Sequence, residues 1–394
     1  MNVGFLGCGY VAGQYAASLP DHPDLKVAGA YDHNAENLQK FAARLGVRAY
    51  ASLDELLGDR GVDLVINLTN PRSHFDLNRK CLQAGKHVYS EKPLAMTVAD
   101  AKTLVALARE RGLQLASAPC SVLSEVAQTL WRAVRDDAVG RVRLIYANFD
   151  DGMIAPRQAP WNWKNDAGVP WPAKDEFEVG CTYQHAGYVL TWLCAMFGPA
   201  RRVTAFSSVL IPDKGIHVDS MAPDFSVGCI EFDEGIVARV TCGLVAPRDK
   251  SMTIIGDGGT LFVGNVRDEA ASVMLAGNDA SGLLRKATKR SRWLHRFVEG
   301  RLGTAAVEAL NATAYPPVRT FAATAAAPSK RVDFLRGPSE MVDAICNTRP
   351  SRLSGDFGAH LVELVEALQY PERFGHRKSM TTSFAPIAPM PWAQ

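Results

Sequence analysis

A glycine-rich turn stands at the start of the chain, between a predicted strand and a predicted helix. The apolar strand over residues 3–6 runs into Gly-Cys-Gly-Tyr-Val-Ala, a GxGxxA pattern. Its first glycine permits a tight turn, its second lets backbone amides approach a pyrophosphate, and its small last residue allows close packing of helix on strand. The helix N-terminus favours the phosphate charge. The pattern predicts a doubly wound α/β domain that binds a dinucleotide through Gly7, Gly9, Tyr10, Val11 and Ala12.

An acidic residue follows the turn at the expected distance. Asp32 ends a second apolar stretch over residues 27–31. In dinucleotide-binding domains an acidic residue about twenty positions beyond the glycines accepts hydrogen bonds from ribose hydroxyls. Its charge would repel a 2′-phosphate. The next two residues are His33 and Asn34, so no arginine follows that could neutralise such a phosphate. These residues predict NAD rather than NADP as the cofactor.

Apolar strands alternate with amphipathic helices as far as residue 119. The stretch 64–68 is almost continuously apolar, which is typical of a parallel strand that is buried on both faces. The carboxyl ends of parallel strands meet at one edge of the sheet, where such folds bind ligands. Four residues are therefore predicted to share one crevice: Gly7, Asp32, Thr69 and Lys92.

The pattern changes from residue 120 onwards. Alternating strands are joined by short Asp- and Gly-containing links such as 233–235 and 256–259, which are typical of hairpins. We therefore predict an N-terminal Rossmann domain over 1–119. A C-terminal α+β domain over 120–394 is predicted to be built on a large open, mostly antiparallel sheet. An exposed sheet face favours association, so we expect a homodimer or homotetramer.

Composition narrows the class of protein. The 394 residues include 43 Lys and Arg against 41 Asp and Glu, which gives no reason to expect nucleic acid as a partner. No apolar run reaches the ~18 residues that span a bilayer, and no signal peptide is expected at the N-terminus. The eight cysteines form no CxxC pair, so we expect a cytoplasmic protein without disulfides and without a metal site.

Several segments together resemble the glucose-fructose oxidoreductase / inositol dehydrogenase / rhizopine-catabolism (Gfo/Idh/MocA) family. They are GCGYVA at 7–12, TNPRSH at 69–74, AGKHVYSEKP at 84–93 and AP at 118–119. Their order and spacing match along the whole first domain. The resemblance implies an NAD-dependent oxidoreductase in which Lys92 is catalytic and contacts the substrate. It implies further cofactor contacts from Thr69, Asn70, His74, Glu91 and Lys92, with Glu91 beside the nicotinamide ribose.

A second catalytic candidate lies on a helix predicted over 181–196. His185 shares one helical stripe with Cys181 and Trp192, a pattern that by itself fits a histidine of the core. Members of the family often carry DxGxH here, with Trp-Leu seven residues after the histidine, and this chain keeps that interval. The resemblance therefore implies that His185 is catalytic and contacts the substrate.

The acid of that motif is missing. Cys181 stands where the aspartate is expected, and a thiol is a weak partner for an imidazole. Either Lys92 takes a larger share of the proton transfer, or a nearby acid such as Asp175 or Glu178 substitutes. We also expect Cys181 to border the substrate.

Two further segments bear on the substrate. The loop 150–180 is rich in Pro and Trp, and Trp161 and Trp163 are interpreted as a substrate wall, the alternative being that they plug the loop onto the sheet. The basic stretch 283–301 resembles a basic amphipathic helix, which could be a solvated face or an intersubunit arm, lie on a membrane surface, or bind a nucleotide diphosphate. Both segments would be explained by a nucleotide-linked or phosphorylated sugar as the substrate, and a free sugar or cyclitol stays open as the alternative.

The combined hypothesis is hydride transfer between NAD and a secondary alcohol or ketone of a sugar, cyclitol or nucleotide sugar. Lys92 and His185 would hold the reacting oxygen. Two alternatives remain open at this point. One is a glycosidase or lyase that oxidises its sugar transiently, as the resemblance also allows. The other is a non-catalytic NAD-binding regulator.

Overall fold

The computed structural model describes residues 1–153, 162–165, 168–277, 312–318 and 332–394. Within these ranges the chain forms two β-sheets, one of six strands and one of nine, with helices packed on them. Among the described residues no helix is long and apolar enough to cross a membrane.

The first sheet is fully parallel and has the strand order β3-β2-β1-β4-β5-β6. This order confirms the predicted doubly wound sheet, whose connections reverse direction between β1 and β4. Its strands are β1 Asn2–Leu6, β2 Lys26–Tyr31, β3 Arg48–Ala49, β4 Leu64–Asn67, β5 His87–Ser90 and β6 Leu115–Ser117. Its helices are α1 Ala12–Ser18, α2 Ala35–Leu45, α3 Leu53–Gly58, α4 His74–Gln83 and α5 Val98–Glu110.

Local sequence sets the helix boundaries next to the predicted crevice. Asn34 begins α2 because its side chain accepts hydrogen bonds from the backbone N–H groups of Glu36 and Asn37. Gly46 ends the same helix with a positive φ of 65°. The segment that follows Asp32 is thus held in one conformation at the carboxyl end of β2.

The second sheet has nine strands in the order β14-β13-β12-β11-β7-β10-β9-β8-β15. Only β7 and β10 pair in parallel among the pairs described, which confirms the largely antiparallel prediction. Its strands are β7 Val142–Asp150, β8 Arg202–Ser208, β9 Phe225–Glu231, β10 Val237–Gly243, β11 Met252–Gly256, β12 Gly259–Val263, β13 Val273–Gly277, β14 Thr313–Ala314 and β15 Arg377–Ser379. The remaining helices are α6 Glu125–Arg135, α7 Ala173–Val179, α8 Gly187–Phe197, α9 Arg336–Cys346 and α10 Gly355–Gln369.

One face of this sheet packs on helices and the other is partly exposed. Burial alternates along β8 and β12, as expected for a half-buried strand. Inward residues such as Ile145 and Val203 are buried, whereas outward Phe206 and Phe262 are 54% and 36% exposed. The open face therefore presents large apolar side chains.

Helix α10 joins the two sheets. Near its start, Gly355 lies against Leu115 and Val105 of the first domain. Near its end, Leu368 fits against Gly228 of β9, where a β-carbon would clash with it. The chain thus returns to the first domain after residue 332. The boundary at 119/120 remains a prediction.

Candidate active site

The glycine-rich turn leaves open space at the carboxyl edge of the first sheet. Gly7 has a φ of 95°, and a β-carbon there would lie 2.9 Å from the carbonyl carbon of Leu68 and the nitrogen of Thr69, so glycine is required. A β-carbon at Gly9 would meet no described atom within 4 Å. The two glycines form a cradle that fits the phosphates of a dinucleotide, as the sequence predicts.

Asp32 is fixed beside this turn. Its carboxylate accepts hydrogen bonds from the backbone N–H of Cys8 at 2.6 Å and of Asn34 at 2.7 Å. Burial, reinforced by the Asp32 charge, raises the pKa of the Cys8 thiol to about 12, so that the thiol stays neutral. A fixed carboxylate at this position can accept hydrogen bonds from ribose hydroxyls.

Buried amides connect the ends of β4 and β5. The oxygen of the Asn67 side chain accepts from the hydroxyl of Thr69 at 2.7 Å, and its amide donates to Asn78 at 2.7 Å. Asn78 in turn donates to the hydroxyl of Ser90 at 2.9 Å. No sequence motif marks Asn78, and Asn67 stands out in the sequence only as the single polar residue of the apolar stretch 64–68.

Two of the expected cofactor ligands have other contacts. His74 is completely buried, and its ring nitrogens face the carbonyl oxygens of Pro93 at 2.6 Å and Thr69 at 2.9 Å. Burial lowers its pKa, although both carbonyls act to raise it. The ring of His74 therefore fastens the strand ends together, and a direct contact of His74 with the cofactor stays a prediction. The Asn70 amide donates to Asp175 of α7 at 2.7 Å.

The segment around Lys92 is held by a buried carboxylate. Glu91 is 6% exposed; it accepts a hydrogen bond from the Tyr15 hydroxyl at 2.8 Å and another from the backbone N–H of Lys92 at 2.8 Å. Burial, and then the neighbouring Glu91, raises the pKa of Tyr15. The Lys92–Pro93 peptide bond is cis. Lys92 thus leaves the carboxyl end of β5 in one defined direction.

The Lys92 side chain crosses to the second domain. Its Nζ donates to the backbone carbonyl of Gln184 at 2.6 Å and to the Gln184 side-chain oxygen at 2.9 Å. Gln184 directly precedes His185, so the contact brings Lys92 close to the segment that carries the second predicted catalytic residue. No sequence motif marks Gln184.

His185 lies in a π-helical turn, Thr182–Ala186, that leads into α8. The predicted regular α-helix over 181–196 is therefore interrupted here, and π turns of this kind often occur at functional sites. Cys181 is fully buried, and its thiol faces the backbone carbonyl of Cys242 at 3.7 Å. The side chain of Cys181 therefore packs into the core, and a contact of Cys181 with the substrate stays a prediction.

Two carboxylates flank the imidazole. Nδ1 of His185 lies 3.1 Å from Oδ2 of Asp151, which directly follows β7. Nε2 lies 3.0 Å from Oε1 of Glu176 in α7. Neither Nδ1 nor the Glu176 oxygen has an aligned hydrogen-bond partner among the described atoms, so these are close contacts that become ion pairs when the imidazole is protonated.

The acids named from the sequence are engaged elsewhere. Asp175 accepts from Asn70, and Glu178 pairs with Arg72 at 3.4 Å and Lys174 at 3.7 Å. The expectation that Asp175 or Glu178 replaces the missing aspartate is therefore wrong. Helix α7 presents Glu176 to His185 instead, because Glu176 lies on the buried side of the helix.

The Trp-rich loop reaches the glycine-rich turn. Trp163 is 36% exposed and packs against Trp171 with ring centres 4.9 Å apart and ring planes tilted by 48°. Trp171 in turn packs edge-on against Phe177. The Asn165 amide donates to the carbonyl of Tyr10 at 2.9 Å. The loop thus lies over the phosphate cradle, a contact that the sequence did not predict. Trp161 and the stretch 283–301 lie outside the described residues.

Among the described residues, no group of three His, Cys, Asp or Glu side chains could hold a metal ion. All eight cysteines are unpaired. The crevice brings together an ammonium group, an imidazole and carboxylates beside the glycine-rich turn.

Comparison with known proteins agrees with this geometry. Residues 1–118 match the model of an oxidoreductase family with an NAD-binding Rossmann fold, and residues 127–262 match the GFO/IDH/MocA C-terminal domain. The chain belongs to the Gfo/Idh/MocA family. As a member it is an oxidoreductase with a Rossmann domain for NAD or NADP, which confirms the resemblance seen in the sequence.

Individual members show how far the similarity extends. UDP-N-acetylglucosamine 3-dehydrogenase of Acidithiobacillus ferrooxidans is 37% identical over 120 residues, which cover 29% of this chain and 36% of that protein. The WlbA dehydrogenase of Bordetella pertussis, solved with NADH and UDP-GlcNAcA, has a TM-score of 0.68 at 19% identity, covering 97% and 98% of the two chains. The aldose-aldose oxidoreductase of Caulobacter crescentus, solved with glycerol, has a TM-score of 0.72 at 18% identity, covering 96% and 99%.

Proposed function

We propose that this Gfo/Idh/MocA protein is an NAD-dependent dehydrogenase or reductase. It transfers a hydride between nicotinamide and a secondary alcohol or ketone of a sugar, cyclitol or nucleotide sugar. The proposal rests on the contact between Lys92 and Gln184, which brings an ammonium donor to the residue that precedes His185. Oxidation of an alcohol needs a base for the hydroxyl proton and a donor to the developing alkoxide, and these two side chains supply both.

The roles follow from the donors and acceptors that each side chain offers. In the oxidation direction His185 accepts the hydroxyl proton of the substrate. An ammonium group has three N–H donors, and Lys92 gives two of them to Gln184, so its third can donate to the same substrate oxygen. The nicotinamide, when bound, would accept the hydride. The protein's share is orientation and charge stabilisation at the reacting oxygen.

The cofactor would lie along the carboxyl edge of the first sheet. Backbone amides of the turn at Gly7 to Ala12 would hold the pyrophosphate, and Asp32 the ribose on the adenine side. Thr69, Glu91 and Lys92 would border the nicotinamide half, since they follow the ends of β4 and β5. This arrangement puts the nicotinamide on the same side as His185.

The substrate class is proposed from the relatives as well as the site. The UDP-N-acetylglucosamine dehydrogenase and the UDP-GlcNAcA complex favour a nucleotide sugar, whereas the aldose-aldose oxidoreductase favours a free sugar. A nucleotide sugar and a free sugar both carry the secondary alcohol that the Lys92 and His185 pair can handle. Trp163, at the edge of the loop over the crevice, is proposed as a wall for either.

A homodimer or homotetramer is proposed from the open sheet face. Phe206 and Phe262 project from it, and burying such apolar surface against a second copy is favourable. One chain has a mass of 42.7 kDa. Light scattering of the purified protein should therefore give at least twice this mass. A mass of one chain at micromolar concentration would contradict this expectation.

Cofactor choice gives a direct test of the role of Asp32. NAD should bind more than about tenfold tighter than NADP in calorimetric titrations, because the fixed carboxylate repels a 2′-phosphate. Asp32→Ala should lower the ratio of the affinity for NAD to the affinity for NADP. Asp54→Ala, which removes an exposed carboxylate of α3, should leave this ratio unchanged. Equal or tighter binding of NADP to the wild-type protein would refute the assignment.

Turnover tests the role of Lys92. The wild-type protein with NAD should produce NADH, followed by its absorbance, on at least one member of a panel of UDP-N-acetylglucosamine, UDP-glucose, glucose and myo-inositol. Lys92→Ala should lower kcat by about 10²–10⁴-fold, the usual contribution of a positioned acid–base group, while still binding NADH. Lys102→Ala, an exposed lysine of α5, serves as the control.

Two results would count against the proposal. A loss of less than about tenfold in Lys92→Ala would remove Lys92 from the reaction. Cleavage of a glycoside without net change in NADH would indicate the alternative in which the sugar is oxidised only transiently.

A further inference from the structure

The acid that normally accompanies the histidine in this helix is absent, yet the imidazole does not lack carboxylates. Cys181 occupies the motif position and points into the core. Asp151 and Glu176 instead approach from β7 and α7, at the two opposite nitrogens of His185. Both come from outside the helix that carries the histidine.

The surroundings make these contacts strong. The exposed fractions of the three side chains are 15% for His185, 14% for Asp151 and 7% for Glu176. Charges that are largely removed from water interact much more strongly than surface charges at the same separation. A proton on the imidazole is therefore influenced by both carboxylates.

Asp151 is held as a carboxylate. Its other oxygen pairs with Lys250, whose Nζ lies 4.5 Å from the centre of the Phe149 ring. The Phe149 ring packs against the imidazole of His185, with the two ring centres 5.4 Å apart. Burial by itself raises the pKa of Asp151, but His185 and Lys250 outweigh it and hold that pKa below its ordinary value. Asp151 is thus a fixed negative charge at Nδ1.

Glu176 is held by the packing of its helix. The backbone carbonyl of Phe177 accepts a hydrogen bond from Ala222 at 3.0 Å. The loop that carries Ala222 contains a buried ion pair between Lys214 and Asp224 at 2.6 Å. Helix α7 is therefore anchored, and the unaligned Oε1 of Glu176 faces Nε2 of the imidazole.

We propose that Asp151 and Glu176 are positioning residues that together replace the missing acid. Asp151 keeps a proton on Nδ1, so that Nε2 is the nitrogen that reacts. Glu176 shares the proton that Nε2 takes up. Contacts of this kind commonly tighten only when ligands are bound.

In the oxidation direction the substrate loses one proton and one hydride. The substrate O–H bond breaks and its proton forms an N–H bond at Nε2. The C–H bond breaks, its electron pair leaves with the hydride for the nicotinamide, and the O–H electron pair becomes the second bond of the carbonyl group. The imidazolium that results lies between two carboxylates. Glu176 is close enough to accept the proton from Nε2, which returns the imidazole to its neutral form. This step rests on the proposed function, in which His185 is the base.

Nitrogen NMR of the intact protein in the presence of NAD tests the proposal without any need for turnover. The nine histidines are labelled with ¹⁵N, and the His185 signals are identified by their loss in His185→Gln. The wild type should show the proton on Nδ1 at the pH where the ring is neutral. Asp151→Asn should change that tautomer, and Glu176→Gln should shift the Nε2 signal.

Matched controls separate positioning from general structure. Asp249→Asn changes a nearby exposed aspartate, and Glu178→Gln changes the neighbouring acid of α7; neither should move the His185 signals. Asp151→Glu, which keeps the charge, should restore the wild-type tautomer at least in part. On a sugar that the wild type oxidises, Asp151→Asn should lower kcat about 10–100-fold with NAD affinity little changed.

His185 signals that stay the same in Asp151→Asn and Glu176→Gln would overturn the inference. That result would leave the role of Lys92 untouched, because the loss of turnover in Lys92→Ala is measured separately. Conversely, a changed tautomer in a protein that oxidises no sugar would contradict the proposed function and leave the positioning contacts in place.

Discussion

The site depends on the two hydrogen bonds from the Lys92 ammonium to Gln184. They join the carboxyl end of β5 in the first domain to the π turn of the second. Hydrogen bonds from a charged donor are stronger than neutral ones, and here both acceptors belong to a single residue. Because Gln184 precedes His185, this contact fixes the separation between the cofactor crevice and the imidazole. Helix α10 packs on both sheets and so forms a second connection between the two domains.

Much of the architecture follows from local sequence patterns. The GxGxxA turn, Asp32 and the apolar strands predicted the parallel sheet and the edge at which its functional residues lie. Alternation in the second half predicted the open antiparallel sheet. These features are set by the period of apolar residues and by the backbone needs of glycine, both of which can be read within short windows.

The surroundings of the histidine could not be predicted in that way. The helical stripe through Cys181 and His185 assumed a regular α-helix, and the π turn changes which side chains share a face. Asp151 and Glu176 reach the imidazole through tertiary packing, from positions 34 and 9 residues earlier in the chain. The family resemblance also implied a cofactor contact by His74, whereas in the structure both ring nitrogens of His74 lie against backbone carbonyl oxygens. Residues that act through another side chain leave no spacing signal.

A crystal structure of the protein with NADH and the sugar that it oxidises or reduces would test the account most directly. The substrate oxygen should lie within hydrogen-bond distance of both Lys92 Nζ and His185 Nε2, with the reacting carbon facing nicotinamide C4. The adenine ribose should contact Asp32. An oxygen bound by only one of the two side chains, or a nicotinamide ring turned away from the π turn, would contradict the claim that Lys92 and His185 form one catalytic site.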